Sequence, residues 1–176
     1  LPVEVIPASG RSREARARSI LTSAERVPTP MFVVLPSNAV FVRPFGIGDF
    51  VDAAGRPRLH VTEDAERRVA GTSPLTDAER QCIVDRAGLG QARVLWPAGP
   101  LAMRADEVRD LCADWADIAA VPDVEAWYAA WRQSVEGPSL DWHEPVFLLL
   151  GAHGLAADVS MSAVTGPPAA ARMRSA

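Results

Sequence analysis

MFVVLPSNAVFVRPF, residues 31–45, decides how the rest of the chain is read. Phe32, Val33, Val34 and Leu35 follow one another with no polar residue between them, the pattern of a strand covered on both faces at the centre of a parallel or mixed sheet. Pro36, Ser37 and Asn38 then break the run, because the proline has no amide hydrogen to donate and the two small polar side chains bond either to the local backbone or outward to a ligand. Residues 39–42 resume an extended apolar run before Arg43-Pro44. Ligands of open α/β sheets bind beyond the carboxyl ends of such strands, which makes Ser37 and Asn38 candidate ligand contacts. The same three residues also suit a plain turn between two core strands.

Composition excludes several chemistries. The 176 residues, 48% of them hydrophobic and with both charge signs present, predict one soluble domain with a sizeable core. All 18 basic residues are Arg, so a Schiff base, a P-loop lysine and a lysine general base are absent. A net charge of −4 gives no broad electropositive footprint for nucleic acid. Cys82 and Cys112 are too few and too far apart for a disulfide scaffold or a cysteine zinc site and read as buried thiols. No apolar run approaches the length of a transmembrane helix, and the first residues lack the basic start and apolar centre of a signal peptide. These features predict a cytoplasmic protein and leave peripheral membrane contact open.

The order of apolar strand, three small residues and then VFVRPF (residues 40–45) resembles the region around the Asp-Ser-Asp motif of an uncharacterised bacterial family of GT-A-type glycosyltransferases. The VFVRPF run is intact. The acidic pair is not: Pro36 stands where the first Asp would be, Ser37 matches the middle residue and Asn38 stands for the second Asp. The resemblance implies a GT-A-like mixed sheet flanked by helices, a nucleotide-sugar donor, and a divalent cation, manganese or magnesium, held against the donor diphosphate. Pro36 cannot ligate, and Asn38 offers one neutral carbonyl oxygen, so the metal site is weakened by two formal charges. Arg43 is the nearest cation that could replace the ion, or else forms a structural salt bridge. The resemblance also implies an earlier nucleotide-binding strand before residue 1, so the chain reads as N-terminally truncated.

The remaining segments follow in order. Residues 1–6 alternate as a short strand, and Ser12 is a plausible N-cap for a helix running to Val27 whose arginines form a solvated face. The preceding loop IPASGRSR is also similar to the phosphate-cradling openings of sugar nucleotidyltransferases, although Gly10 is its sole glycine and no Lys follows. Residues 49–61 read as a hairpin turning at Ala54-Gly55, with His60 facing away from Leu59 and Val61 as a surface or edge residue. A short charged helix over residues 63–69 precedes a second one opened by the capping box Thr76-Asp77-Ala78-Glu79, with Cys82 and Ile83 inward and Gly88 and Gly90 as the stop.

RVLW (residues 93–96) forms a further strand, halted by Pro97 and followed by a loop over residues 98–101. In the family resembled a comparable segment faces sugar or acceptor, which marks Trp96 and Gly99 as candidate pocket residues; Trp96 fits a core position equally well. Val108, Leu111, Cys112, Trp115 and Ile118 share one helical stripe, and Val124, Trp127, Trp131 and Val135 line the buried side of the next helix. Asp141-Trp142-His143-Glu144 precedes a late strand over residues 145–150. The resemblance places a carboxylate there, so Glu144 is the candidate general base for an acceptor hydroxyl and His143 a candidate substrate contact.

The expectation is therefore one GT-A-like α/β domain over residues 1–155 and a flexible tail over residues 156–176. Its function is transfer of a sugar from a nucleotide sugar to an acceptor, weak or lost, or else non-catalytic binding of a sugar, a nucleotide or a protein.

Overall fold

The computed structural model describes residues 12–36, 39–41, 43–62, 75–90, 94–97, 99–113, 123–136 and 147–149. Ser12 opens α1 (Arg13–Arg26), its hydroxyl accepting from the Ala15 N–H at 3.1 Å, and the helix stops at Val27, whose extended backbone is what a residue before proline adopts. Ala17, Ile20 and Ala24 form the buried stripe of α1, and the two alanines let α1 sit close to its neighbours. β1 (Met31–Val34) and β2 (Ala39–Phe41) follow. A single 3₁₀ turn at Ile47–Asp49 leads to a tight turn at Gly55, where φ is +78°, and to β3 (Val61–Thr62).

The second half supplies most of the core. α2 (Asp77–Arg86) starts with the expected capping box, Thr76 Oγ1 accepting from the Glu79 N–H and Glu79 Oε2 accepting from the Thr76 N–H at 2.7 Å. It ends at Gly88, held at φ +69°, a left-handed conformation that favours glycine. β4 (Trp96–Pro97) and β5 (Leu101–Arg104) follow, and β5 runs directly into α3 (Ala105–Ala113). α4 (Val124–Glu136) begins where the Asp123 carboxylate accepts from the Ala126 N–H at 2.8 Å. β6 (Phe147–Leu149) closes the order.

The fold is mixed α/β. Its described strands form three antiparallel pairs, β1 with β5, β2 with β6 and β3 with β4, where the residues predicted one parallel or mixed sheet. β1 is a strand as expected, but it is not the doubly covered centre: Val33 is 37% and Leu35 52% exposed. That position belongs to β5, where Leu101, Ala102 and Met103 are all fully buried and Phe32 pairs with Met103. β5 escaped the sequence reading because Leu, Ala, Met and Arg are helix formers, so the segment read as a lead-in to α3. Position between β1 and the helical core overrides that preference.

Three other expectations change. Of the strand expected over residues 93–96, Trp96 alone lies in β4 among the described residues, and Pro97 continues the strand instead of halting it; Leu95 is paired by a glutamine, its N–H donating to Gln133 Oε1 at 2.8 Å and its carbonyl accepting from Gln133 Nε2 at 2.7 Å. The hairpin over residues 49–61 contracts to the 3₁₀ turn and a single bridge between Val51 and Pro57. Val135 is 60% exposed, and α4 buries Tyr128, Arg132 and Gln133 beside Val124 and Trp127. Residues 1–6, the helix expected over 63–69, the positions of Trp115 and Ile118, and the tail over 156–176 lie outside the described residues.

Candidate functional site

The turn after β2 is built around one carboxylate. Asp49, 8% exposed, accepts from Arg43 Nη2 at 2.8 Å through Oδ1 and from the Gly46 N–H at 2.8 Å through Oδ2, while its own N–H donates to the Gly46 carbonyl at 3.1 Å. Arg43 Nη1 also donates to the Pro44 carbonyl at 3.1 Å. Of the two roles open to Arg43, the structure shows the salt bridge.

Behind this clamp sit four rings. Phe41 and Phe45 stack with centroids 4.0 Å apart, Phe50 meets Phe45 edge-on at 5.9 Å, and His60 meets Phe50 edge-on at 6.4 Å. Phe50 and His60 are buried, which corrects the surface assignment of His60: the contracted hairpin turns both Leu59 and His60 inward instead of alternating them. Phe45 and Ile47 remain 54% and 75% exposed, so the turn presents apolar surface to water. Asp49, Phe50, Arg58 and His60 were not singled out as site residues by sequence reasoning. The available signal was Gly46-Ile47-Gly48-Asp49, an acid three residues after a glycine, which suits a side chain that closes a turn onto a backbone N–H.

The other sequence candidates do not join this cluster as a described pocket. Trp96 is buried in the core, opposite Thr62 in the β3–β4 pair, which decides its two readings in favour of packing. Gly99 is buried just before β5. Ser37, Asn38, His143 and Glu144 lie outside the described residues. Pro36 is buried at the end of β1 and carries no ligating atom, so a divalent cation does not fit this step as the resemblance implies it. Among the described residues no group of three His, Cys, Asp or Glu side chains converges as metal ligands.

Two further polar constellations lie on the helices. Arg13 pairs with Glu79 of α2, and Arg16 grips Glu125 of α4 through Nε and Nη2, the latter at 2.9 Å. The predicted solvated arginine face of α1 is therefore partly a set of interhelical ties. The Glu125 hydrogen bond raises the Arg16 pKa against the effect of burial. The cleft beside this pair is about 10 Å³, room for one water and too small for a substrate.

Across α3 and α4, the Tyr128 hydroxyl donates to Glu107 Oε2 at 2.6 Å and accepts from the Arg104 N–H at 3.1 Å, while Arg132 bridges Glu107 and Glu136. Burial and then the Glu107 bond push the Tyr128 phenol far above its ordinary range, and its ring is fully buried. This network ties strand to helices and offers no reactive group to solvent. Cys82 and Cys112 are free thiols, half-buried where full burial was expected, and burial raises the Cys112 pKa. No family model, curated protein or solved structure matches the chain.

Proposed function

We propose that this chain is a glycosyltransferase-like protein of GT-A type that binds a nucleotide sugar and transfers it weakly or not at all. The observation that carries the reading is the step out of β1. The VFVRPF run is intact, but buried Pro36 and then Asn38 occupy the positions where the resembled family has its metal-binding pair. Arg43, the nearest replacement cation, is committed to Asp49. Loss of a metal clamp removes several kcal/mol of leaving-group stabilisation, at a factor of ten in rate for each ~1.36 kcal/mol. Binding surface is nevertheless retained, because the same run sets Phe45 at the surface on a stacked partner.

The test is nucleotide-sugar binding and hydrolysis, with manganese or magnesium, for the native chain and for Pro36→Asp with Asn38→Asp. Binding by both chains, with turnover low in the first and raised in the second, supports the reading. Robust native turnover that disappears in Glu144→Gln would instead indicate a metal-independent transferase with Glu144 as its base.

A further inference from the structure

The turn over residues 43–58 carries more than packing. Its one buried acid is used up: both Asp49 carboxylate oxygens are engaged, one by Arg43 and the other by the Gly46 N–H. Phe45 is held by a stacked ring on one side and the edge of Phe50 on another, yet 54% of it meets solvent. A ring fixed this way loses little further conformational entropy on binding a flat partner. Arg58 follows Pro57, which bridges back to Val51, and so returns to the same turn. Its Nε donates to the Gly48 carbonyl at 3.0 Å, its backbone N–H donates to the Phe50 carbonyl at 2.7 Å, and its guanidinium makes no ion pair among the described residues. Backbone carbonyls thus orient this cation without neutralising it.

A fixed aromatic face and a guanidinium without an ion pair among the described residues, both carried by the turn over residues 43–58, match a ligand with a planar ring and an anionic group. A free sugar matches less well, because its hydroxyls favour exposed carboxylate and amide side chains, and the one carboxylate of this cluster is buried and tied to Arg43 and Gly46. We propose that the turn is a nucleotide platform, with the base stacked on Phe45 and a phosphate oxygen held by Arg58. The inference rests on the nucleotide-sugar reading above and places the donor nucleotide on the turn after β2.

The test is calorimetric titration of uridine, guanosine and adenosine diphosphates, of the glucose esters of the same diphosphates, and of inorganic pyrophosphate, into the native chain, Phe45→Ala, Phe45→Trp and Arg58→Gln. Each variant is first shown by its melting curve to be folded; Phe45→Trp keeps a ring in place if truncation loosens the turn. Phe45→Ala is expected to weaken diphosphate binding at least tenfold and to leave pyrophosphate binding unchanged. Phe45→Trp should retain nucleotide binding, and Arg58→Gln should weaken both ligands at least tenfold. Diphosphate binding of native strength in both Phe45→Ala and Arg58→Gln overturns the platform while the nucleotide reading stands. Binding at the platform by diphosphates but not by nucleotide sugars upholds the platform and overturns the function proposed above. No diphosphate binding at millimolar concentration overturns both.

Discussion

Glu125 is the residue whose loss the fold should feel most sharply. It is 3% exposed, sits in the first turn of α4 and meets Arg16 in a two-point grip. Removing one partner of a buried pair leaves the other charge uncompensated, at about 3–5 kcal/mol, whereas replacing both with apolar side chains of similar volume is often neutral. Arg16 is 25% exposed and is also attracted by Asp123, so Glu125→Gln should lower stability in urea by less, about 1–3 kcal/mol, and Arg16→Met with Glu125→Leu should recover most of it. An equal loss in the double variant would show that the pair is needed for more than its charge balance. Glu79 makes a different statement, about pH. Burial alone would raise its carboxyl, but the Thr76 N–H, the Thr76 hydroxyl and the Arg13 guanidinium together hold it below the ordinary 4.5. A depressed carboxylate stabilises the fold above its unfolded pKa, and that stability is lost as pH falls through the folded value. Glu79→Gln should consequently flatten the decline of melting temperature below about pH 4.5 and cost about 1 kcal/mol at neutral pH through the weakened cap. An unchanged acid limb would assign that decline to other carboxylates, with Asp106, which the Arg104 hydrogen bond holds low, the next to test.

Among the elements, β4 and β5 show where local preference stops deciding. Helix starts were legible because caps are short-range: Ser12 and Thr76 with Glu79 each lie beside the amides they satisfy, and α1 and α2 begin where those residues predict. The strand pairs were not legible in the same way. Nothing within Leu101–Arg104 tells that it will lie against Met31–Val34, and nothing near Leu95 tells that Gln133, thirty-eight residues on, will take both of its backbone groups. At the candidate site Arg43 was visible as a cation beside the strand, but its partner Asp49 and the buried ring of His60 depend on how the turn contracts. Gln133→Leu measures the long-range term directly. It leaves the Leu95 N–H and carbonyl without their partner, an expected cost of about 1–3 kcal/mol, with amide exchange at Leu95 accelerated and α1 unaffected. If Leu95 stays protected, another backbone group has replaced the amide and the glutamine is not what holds Leu95.

At the scale of the whole molecule, the described residues divide between a helix-lined core and an apolar-tipped turn packed onto it. Buried side chains of α1, α2, α3 and α4 meet those of β4 and β5 in one cluster, while Val33, Leu35, Val40, Phe45 and Ile47 are exposed along the stretch that resembles a donor site. No helix of the described residues is long and apolar enough to cross a membrane, so this surface does not belong to a spanning helix. The replaced carboxylates give the last prediction a definite sign. A ligand that binds only the folded chain raises its stability by about 2.7 kcal/mol at a hundred times its Kd, so metal affinity can be read from a melting curve without knowing any substrate. Hard divalent cations take oxygen ligands and are held most tightly where carboxylates supply negative charge, and the side chains of this step are a proline ring, a hydroxyl and one neutral amide. Manganese or magnesium at millimolar concentration should therefore leave the native melting temperature unchanged, and Pro36→Asp with Asn38→Asp should gain a metal-dependent rise. A rise in the native chain that Asn38→Ala abolishes would show that the amide is part of a working cation site, and the weak or lost transfer proposed above would have to give way to a metal-assisted one.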